Sequence, residues 1–374
     1  MVKGLYVHIP FCKTRCHYCN FVTTAEPSQD LRERFFKALT AEIKHARERY
    51  GRLSFETLYL GGGTPSCLKI QEIERLILEV QEAFDFKKGY EFTVEFNPGD
   101  GDETKMKGLR ERGVNRISLG CQSFKDEILE RLGRRHRSQD ITEAIARIRA
   151  AGIQNISFDL MLRLPGQDLE AFRDSVRRSI ESGASQVSLY DLEVHGETPF
   201  GQLQQIGELS LPAEEEHAGM YESAIQLLTG AGYEHYEISN FARPGFASRH
   251  NLIYWHNQEY LGLGPGAFTY LDAVRTQFAP DLERYLGKCE TSDWKNETED
   301  HLSAEEQETE TLVTGLRLRE GVRLAVFPKI LSFLRGKVDA LCEKGLMERS
   351  GENIRLTDPG KRLSEDVFAF LIRR

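Results

Sequence analysis

Short strand-like runs alternate with helical stretches through the first half of the chain, and this alternation constrains the fold more than any other feature. The runs are rich in β-branched and apolar residues, and apolar residues recur every three or four positions in the stretches between them. Six strands are predicted, at residues 5–9, 55–60, 91–96, 115–119, 155–161 and 186–192. Because repeated strand–helix units favour a parallel sheet, the sequence predicts an α/β fold with a partial or complete (β/α)6 barrel at residues 1–195.

Three cysteines follow the first predicted strand in the run HIPFCKTRCHYCNF, as Cys12, Cys16 and Cys19. Thiolates this closely spaced are typical ligands of an iron–sulfur cluster, and four normally complete a 4Fe–4S cluster. Three ligands in one loop would leave one iron open to a substrate or cofactor. A zinc site would usually show a second Cys or His pair at short spacing, and none follows. The odd total of seven cysteines favours a reducing compartment over disulfides.

Composition excludes several classes of protein. With 374 residues, of which 40% are hydrophobic and 29% charged, the chain can bury a full core. No apolar stretch is long enough to span a membrane. The apolar part of the opening run MVKGLYVHIPF is also too short for a signal peptide. A net charge of −9 opposes nonspecific binding to nucleic acid or to an anionic membrane. We therefore expect a cytoplasmic protein without a membrane span or a nucleic-acid partner.

Glycine and polar residues follow the other predicted strands. In a (β/α) barrel the loops after the strand carboxyl ends carry the chemistry, and a run of glycines lets a ligand approach the backbone closely. The residues expected at this rim are Gly62, Gly63, Thr64, Glu95, Gln122, Arg134, Asp159 and Glu193. Each also has a structural interpretation, since a glycine run can be a simple turn and the arginines between 131 and 137 can form a solvated helix face.

The cysteine spacing together with GGGTP, VEFNP, RISLGCQSF, LGRRH and DLMLRLPGQ resembles the radical S-adenosylmethionine (AdoMet) superfamily. More narrowly, YEISNFARPG and HNLIYW extend the resemblance to the oxygen-independent coproporphyrinogen III oxidase group. The resemblance implies a 4Fe–4S cluster on Cys12, Cys16 and Cys19, with AdoMet bound to the open iron. It also implies an electron donor, because reduction cleaves AdoMet to methionine and a 5′-deoxyadenosyl radical.

Individual roles follow from the resemblance by matching positions. It implies that the first AdoMet is contacted by Tyr6, Gly62, Glu95 and Phe268. It implies that a second AdoMet would lie against Tyr18, Gly63, Thr64, Gln122, Arg134, Asp159 and Glu193. One or two arginines near residue 134 are suited to hold a carboxylate of AdoMet or of a porphyrin, because guanidinium groups bind carboxylates through two hydrogen bonds. Arg163 stands where the pattern DLxxGLPGQ has a glycine.

Two departures from the oxidase pattern bear on function. The oxidase has a fourth cysteine two residues past the third, where this chain has Phe21. Eleven residues precede Cys12, so we expect the oxidase's longer N-terminal arm to be missing. Both features disfavour coproporphyrinogen decarboxylation and resemble instead the heme chaperones of the same group, which deliver heme to respiratory hemoproteins. A radical AdoMet methyltransferase of the same branch is a third hypothesis.

Heme needs an axial ligand, typically His, Cys, Met or Tyr, and a surface that covers a large apolar ring. The run HNLIYWH at residues 250–256 combines candidate ligands with aromatic area, so we expect His250 to ligate heme or to lie beside it. On general grounds a histidine among aromatic residues is more often a hydrogen-bonded structural residue.

The pattern changes beyond the barrel. An α+β extension is expected at residues 196–300, and the acidic run 297–311 predicts a solvated linker that leads into a helix. Two helices are then predicted at 327–333 and 337–346, followed by a hairpin of 347–350 with 354–356 and a last helix that Pro359 opens. This order predicts a winged-helix-like domain at residues 301–374. Because no basic recognition stripe is evident, a lid or partner-docking role is expected rather than DNA binding.

Overall fold

The fold was obtained as a computed structural model that describes residues 2–372. In the first half the strands are β1 (Gly4–Ile9), β2 (Phe11–Cys12), β3 (Thr24–Ala25), β4 (Ser54–Gly62), β5 (Asp85–Phe96), β6 (Arg116–Gln122), β7 (Asn155–Leu162) and β8 (Gln186–Asp191). The helices between them are α1 (Gln29–Tyr50), α2 (Ile70–Ala83), α3 (Glu103–Glu111), α4 (Asp126–Arg131), α5 (Ser138–Ala150) and α6 (Leu169–Glu181), with a 3-10 turn at Pro65–Cys67.

The six long strands β1, β4, β5, β6, β7 and β8 lie side by side in this order, and every neighbouring pair is parallel. Helices connect them, so all six carboxyl ends meet at one rim. The predicted α/β fold and its partial barrel are therefore confirmed. Strand β5 begins six residues earlier than predicted, because a register shift lets Asp85 pair with Ser54 before the main ladder starts.

The extension adds strands to both edges of the same sheet. Its strands are β9 (Glu234–Glu237), β10 (Asn240–Ala242), β11 (Tyr260–Leu263), β12 (Phe268–Leu271), β13 (Val274–Gln277) and β14 (Thr298–His301). Its helices are α7 (Pro199–Gln205), α8 (Glu214–Gly230), α9 (Arg249–Trp255) and α10 (Leu282–Glu290). Strand β11 pairs in parallel with β1, whereas β12, β13 and β14 continue outward in antiparallel fashion. At the other edge β10 and β9 follow β8.

Within residues 2–372 the two outermost strands, β14 and β9, do not pair with each other, so the barrel stays open. The predicted boundary at residue 195 falls inside one continuous sheet, and the division into 1–195, 196–300 and 301–374 stays a prediction. The expectation of a solvated linker at 297–311 was wrong in its first part. Residues 298–301 form β14 because they extend the antiparallel ladder of β13.

The last segment forms a winged-helix-like unit. Its elements are α11 (Ala304–Gly315), β15 (Val322–Arg323), a 3-10 turn at Leu324–Val326, α12 (Leu331–Glu343), β16 (Met347–Ser350), β17 (Asn353–Leu356), α13 (Asp358–Arg362) and α14 (Ser364–Ile372). The predicted hairpin is confirmed as β16 and β17, and β15 completes a small sheet. The two helices predicted at 327–346 are instead the single helix α12, because Leu334, Val338 and Leu341 share one buried face.

Candidate functional site

The cysteine loop leaves the carboxyl end of β1, at the rim where a (β/α) barrel carries its chemistry. Cys12 ends β2, which pairs in parallel with β3 and so closes the loop on itself. All three cysteines are free thiols: Cys12 is buried, whereas Cys16 and Cys19 are partly exposed. Burial raises the pKa of Cys12 to about 12 and also raises the pKa of Cys19. Thiolates at these positions therefore need positive charge close by, which metal ions provide.

Contacts with distant segments hold the middle of the loop in place. The His17 amide donates a hydrogen bond to the Leu132 carbonyl at 3.0 Å, and the Phe200 amide donates to the His17 carbonyl at 3.0 Å. Tyr18 packs against a small apolar cluster that includes Leu132 and Phe200. Burial raises the pKa of Tyr18, although the positive charge of Arg134 opposes this shift. The loop is thus fixed at both ends and in its middle.

The glycine run after β4 lies directly against the cysteine loop, and side chains would not fit there. A Cβ atom on Gly63 would lie 2.7 Å from the Phe11 carbonyl oxygen and 3.1 Å from Cys12 Sγ. Gly62 has a φ of 111°, and a Cβ atom on it would lie 2.6 Å from the His8 ring. The GGGTP run is therefore a close contact between strand and loop, which the simple-turn interpretation does not explain.

Glu95 lies within the barrel, and two donors fix its carboxylate. The Gly62 amide donates to Oε2 at 3.0 Å, and the Tyr59 hydroxyl donates to Oε1 at 2.9 Å. Burial raises the pKa of Glu95 to about 7, although the hydrogen bond from Tyr59 opposes this shift. On β1, which neighbours β4, the Tyr6 ring lies 6.0 Å from the Tyr59 ring, and the Tyr6 hydroxyl lies 3.1 Å from His8 Nδ1. Glu95 is thus part of an interior polar site rather than a helix cap or a surface ion pair.

A line of polar contacts joins the first two cysteines across the strand ends. Thr64 Oγ1 lies 3.5 Å from Cys12 Sγ, and Asn97 Nδ2 donates to Thr64 Oγ1 at 3.1 Å. Arg134 Nη2 donates to Asn97 Oδ1 at 2.5 Å, and its Nη1 lies 3.5 Å from Cys16 Sγ. A guanidinium group therefore lies beside one of the thiols. The sequence did not assign Asn97 to the site, although its position in VEFNP at the end of β5 is the signal that marks it.

Gln122 and Asp159 lie in the same interior. Gln122 has a φ of 62° at an irregularity where β6 ends, and a Cβ atom on Gly120 would lie 3.1 Å from its Nε2 and 2.9 Å from Arg134 Nη2. Asp159 accepts hydrogen bonds from Ser118 Oγ at 3.0 and 3.1 Å. Burial raises the pKa of Asp159 to about 6. Two carboxyl groups, those of Glu95 and Asp159, therefore titrate close to neutrality within the barrel.

A polar cavity of about 200 Å³ opens beside Cys16. Lys13, Asp100 and Arg134 are among its lining residues, and Lys13 Nζ forms an ion pair with Asp100 Oδ1 at 2.7 Å. Its walls are charged and close to the cysteine loop, so it suits a small polar ligand rather than an apolar one.

Two predicted residues lie apart from this network. The side chain of Glu193 is 76% exposed after β8 and contacts His195 at 3.4 Å. Phe268 begins β12 and is 43% exposed. The preceding turn lies close to the loop, since a Cβ atom on Gly266 would lie 2.8 Å from Val22 Cγ2. The AdoMet roles of Glu193 and Phe268 stay predictions.

His250 belongs to α9 and packs against β4, and it is 1% exposed. Its Nδ1 lies 2.7 Å from Thr57 Oγ1, its Nε2 lies 2.9 Å from the Tyr254 hydroxyl, and its amide donates to Glu91 Oε1 at 3.0 Å. Burial lowers the pKa of His250 to about 3, so the ring is neutral. The ring lies 4.9 Å from the Tyr59 ring. Heme ligation by His250 would require one of these ring hydrogen bonds to break, and this role stays a prediction.

The residues present fit a 4Fe–4S cluster. Three free thiols lie in one loop, the backbone of Gly63 closely approaches Cys12 because no side chain lies between them, and Arg134 lies beside Cys16. No three His, Cys, Asp or Glu side chains of the described chain converge on a single metal ion. A cluster differs from such a site because each thiolate binds a different iron. When bound, the cluster and AdoMet supply one-electron chemistry. The groups of this chain that would then contact AdoMet are the fixed carboxylate of Glu95 and the backbone of the glycine run.

The open parallel barrel and its three-cysteine loop define a protein of the radical AdoMet superfamily. The family model "Radical SAM superfamily" matches residues 6–178, and the model "HemN C-terminal domain" matches residues 302–363. The chain belongs to the family of the heme chaperone HemW. No helix within residues 2–372 is long and apolar enough to cross a bilayer.

Relatives of this family match the chain almost from end to end. The heme chaperone HemW of Lactococcus lactis is 37% identical over 371 residues, which cover 98% of this chain and 96% of that protein. HemW of Bacillus subtilis is 37% identical over 384 residues, which cover 99% of both. Among solved structures, the coproporphyrinogen III oxidase HemN of Escherichia coli has a TM-score of 0.86 and 22% identity, covering 99% of this chain and 90% of that one. At this identity the similarity concerns the fold alone.

Proposed function

We propose that this protein is a cytoplasmic heme chaperone that binds heme and transfers it to acceptor hemoproteins, respiratory ones among them. The observation that carries the proposal is its match over nearly the whole chain to relatives named heme chaperones. Phe21, in place of the fourth cysteine of the oxidase pattern, also supports it. Seven free thiols suit the reducing conditions of the cytoplasm.

In this proposal the cysteine loop holds the 4Fe–4S cluster and receives an electron from a donor protein. Tyr6, Gly62, Glu95 and Phe268 bind the first AdoMet, and the fixed Glu95 carboxylate beside the Gly62 amide supports the assignment. A second AdoMet would be contacted by a further set of residues, namely Tyr18, Gly63, Thr64, Gln122, Arg134, Asp159 and Glu193. The partly buried network of Thr64, Asn97 and Arg134 supports the inner part of that set.

Two observations favour a second candidate, an oxygen-independent coproporphyrinogen III oxidase. The fold matches that enzyme with a TM-score of 0.86, and the barrel interior keeps two carboxyl groups, Glu95 and Asp159, with pKa values near 7 and 6. A methyltransferase that uses the second AdoMet as methyl source is related to this candidate. It would yield S-adenosylhomocysteine, which neither other function produces.

One anaerobic experiment separates these functions. Reconstituted protein is divided between two assays: incubation with AdoMet, a reductant and coproporphyrinogen III, and loading with heme followed by mixing with apomyoglobin. A chaperone is expected to leave the porphyrinogen intact and to pass heme at a rate that rises with apomyoglobin concentration. A rate independent of that concentration indicates simple dissociation and contradicts the proposal. Decarboxylated porphyrin would establish the oxidase instead, and S-adenosylhomocysteine the methyltransferase.

A further inference from the structure

An open groove of about 700 Å³ lies between the cysteine loop, the start of α1 and the start of α10. Apolar side chains contribute to its lining, among them Val22, Leu31, Leu282 and Leu286. Phe21 belongs to the same lining and is 67% exposed, two residues after Cys19. Ligand sites commonly have volumes of about 300–1,000 Å³, so the groove is large enough for a ligand of the size of heme.

The exposure of Phe21 indicates a surface that a ligand would cover. Phenylalanine is among the residues most often buried, and an exposed aromatic ring beside other apolar side chains is typical of a binding site. Phe21 also occupies the place of the fourth cysteine in the oxidase pattern, so the chain has an apolar contact surface where the oxidase has a thiol. A flat apolar ring system could stack on Phe21 and cover Leu31 and Leu282.

Charge is distributed unevenly around the groove. On the loop side Arg15 donates from Nε and Nη2 to the Cys19 carbonyl at 3.3 and 3.2 Å, and within the described chain no carboxylate lies within 4 Å of it in an ion pair. On the helix side Arg34 already pairs with Glu290 at 2.8 Å. The remaining acidic groups of the lining are Asp281 and Glu283, at the start of α10. A ligand with an apolar ring and a carboxylate edge would therefore place that edge against Arg15.

The groove offers no ligand to iron, since its lining contains no His, Cys, Met or Tyr among the described residues. His250 lies elsewhere and has both ring nitrogens engaged. We propose that heme binds in this groove by stacking of its ring against Phe21 and by a propionate on Arg15, without an iron bond from a groove side chain. The inference rests on the proposed function. It also suits a carrier, because an iron free of such a bond can be ligated at once by an acceptor protein.

The test is equilibrium titration of the reconstituted full chain with heme and, separately, with metal-free protoporphyrin IX, followed by absorbance. Both compounds are expected to bind with similar affinity, because the ring and the propionates carry the interaction. Phe21→Ala is expected to raise both dissociation constants about tenfold, which corresponds to about 1.4 kcal/mol. Phe370→Ala removes an exposed aromatic ring from α14 and is the matched control, with no change expected. Arg15→Ala is expected to raise Kd about tenfold as well, and Arg15→Lys is expected to restore part of the affinity.

Iron content is measured for each variant, because Phe21 and Arg15 lie in the cysteine loop. Leu31→Gln lies outside the loop, on α1, and is expected to raise Kd severalfold even if the loop variants lose iron. Unchanged binding in Phe21→Ala and Leu31→Gln would contradict the assignment of heme to this groove and would leave the chaperone proposal intact. The assignment to this groove is also contradicted if protoporphyrin IX binds at least a hundredfold more weakly than heme and His250→Ala removes this difference. That outcome would indicate that His250 ligates the iron. A wild-type protein that binds no heme at all contradicts the proposed function itself.

Discussion

At the scale of single residues, the site depends on charges and donors that come from far along the chain. Arg134 reaches Cys16 across 118 positions, and Asn97 links it to Thr64. The Glu95 carboxylate is likewise fixed by the amide of Gly62. These contacts fix the surroundings of Cys12 and Cys16 and hold the Glu95 carboxylate in place.

The first prediction concerns the three thiols. We expect Cys12→Ala, Cys16→Ala and Cys19→Ala each to abolish stable cluster binding, because two remaining thiolates in the loop leave a second iron without a protein ligand. The measurement is iron per chain after anaerobic reconstitution. Cys342→Ala, in the C-terminal unit, is the control and should keep the wild-type iron content. Full iron content in any one of the three loop variants would contradict this assignment.

A second prediction tests the positive charge beside the loop. Arg134→Lys keeps the charge, but an ammonium group cannot reach Asn97, the Gly120 carbonyl and Cys16 together as the planar guanidinium does. We expect the cluster to be lost to an iron chelator several times faster than in the wild type. The neighbouring exposed Arg135 provides the matched variant Arg135→Lys, whose rate should be unchanged. Equal rates of cluster loss for both variants would show that a positive charge at position 134 is enough to retain the cluster.

At the scale of elements, the strands that carry the site were predictable because their signals are local. Runs of β-branched and apolar residues marked four of the six long strands to within two residues at each end. The edge strands β11 to β14 have four residues each, and β11 joins the sheet only through its pairing with β1, which is distant in the chain. Arg163 shows the limit of motif matching: its φ of 62° is the conformation that the family's glycine favours, and the chain adopts it with an arginine.

The surroundings of His250 were not predictable either. Thr57, which contacts its Nδ1, lies 193 positions away in the chain. From the sequence, HNLIYW offered a histidine among aromatic residues, which suits a heme ligand or a buried structural residue equally well. Only the three-dimensional arrangement reveals that α9 packs this ring against β4. Long-range burial of this kind leaves no local pattern in a single sequence.

A third prediction concerns the joint between α1 and α10. Glu42 is buried on α1 and accepts hydrogen bonds through one oxygen from the Tyr285 hydroxyl at 2.7 Å and the Gly264 amide at 2.8 Å. Burial raises the pKa of Glu42 from 4.5 to about 7. Because the folded protein holds this proton more tightly than the unfolded chain, the contribution of Glu42 to stability is complete below pH 4.5. It is lost as the pH rises towards 7.

Glu42→Gln keeps an acceptor oxygen and removes this titration. The wild type loses stability between pH 5 and pH 8 that the variant keeps. We therefore expect the free energy of unfolding of the variant minus that of the wild type to increase by about 3 kcal/mol over this range. The measurement is urea unfolding followed by circular dichroism at both pH values. Glu33→Gln, an exposed position on the same helix, should follow the wild type at both. A constant difference between Glu42→Gln and wild type across this range would contradict the shifted pKa.

At the scale of the whole molecule, the C-terminal unit is joined to the edge of the main sheet. Ile238, next to β9, belongs to the hydrophobic core of the C-terminal unit. The Arg319 amide donates to the Tyr236 carbonyl at 2.9 Å, and the Ile238 amide donates to the Arg317 carbonyl at 3.2 Å. Backbone pairing and a shared core therefore couple this unit to the strand edge next to β10 and β8, whose carboxyl end lies at the rim of the barrel.

Arg317 is a side-chain link in this joint, and it carries the fourth prediction. Its Nη2 lies 3.2 Å from Glu237 Oε2, and its guanidinium lies 4.2 Å from the centre of the Trp255 ring. The side chain of Glu237 is fully buried, and burial raises its pKa although Arg317 opposes the shift. Removing one partner of a buried pair typically costs about 3–5 kcal/mol, because the other charge is left without compensation.

We expect Arg317→Ala to destabilise the protein by about 3 kcal/mol at pH 8. The loss should be smaller at pH 5, because Glu237 without its cation can take up a proton in the folded state. Arg349→Ala breaks an exposed pair with Asp339 in the same unit and should cost less than about 1 kcal/mol at either pH. Combining Arg317→Ala with Glu237→Gln removes the buried charge and should recover much of the loss. If the double variant is no more stable than Arg317→Ala in urea unfolding, the contact with Trp255, rather than the ion pair, holds the C-terminal unit against the sheet.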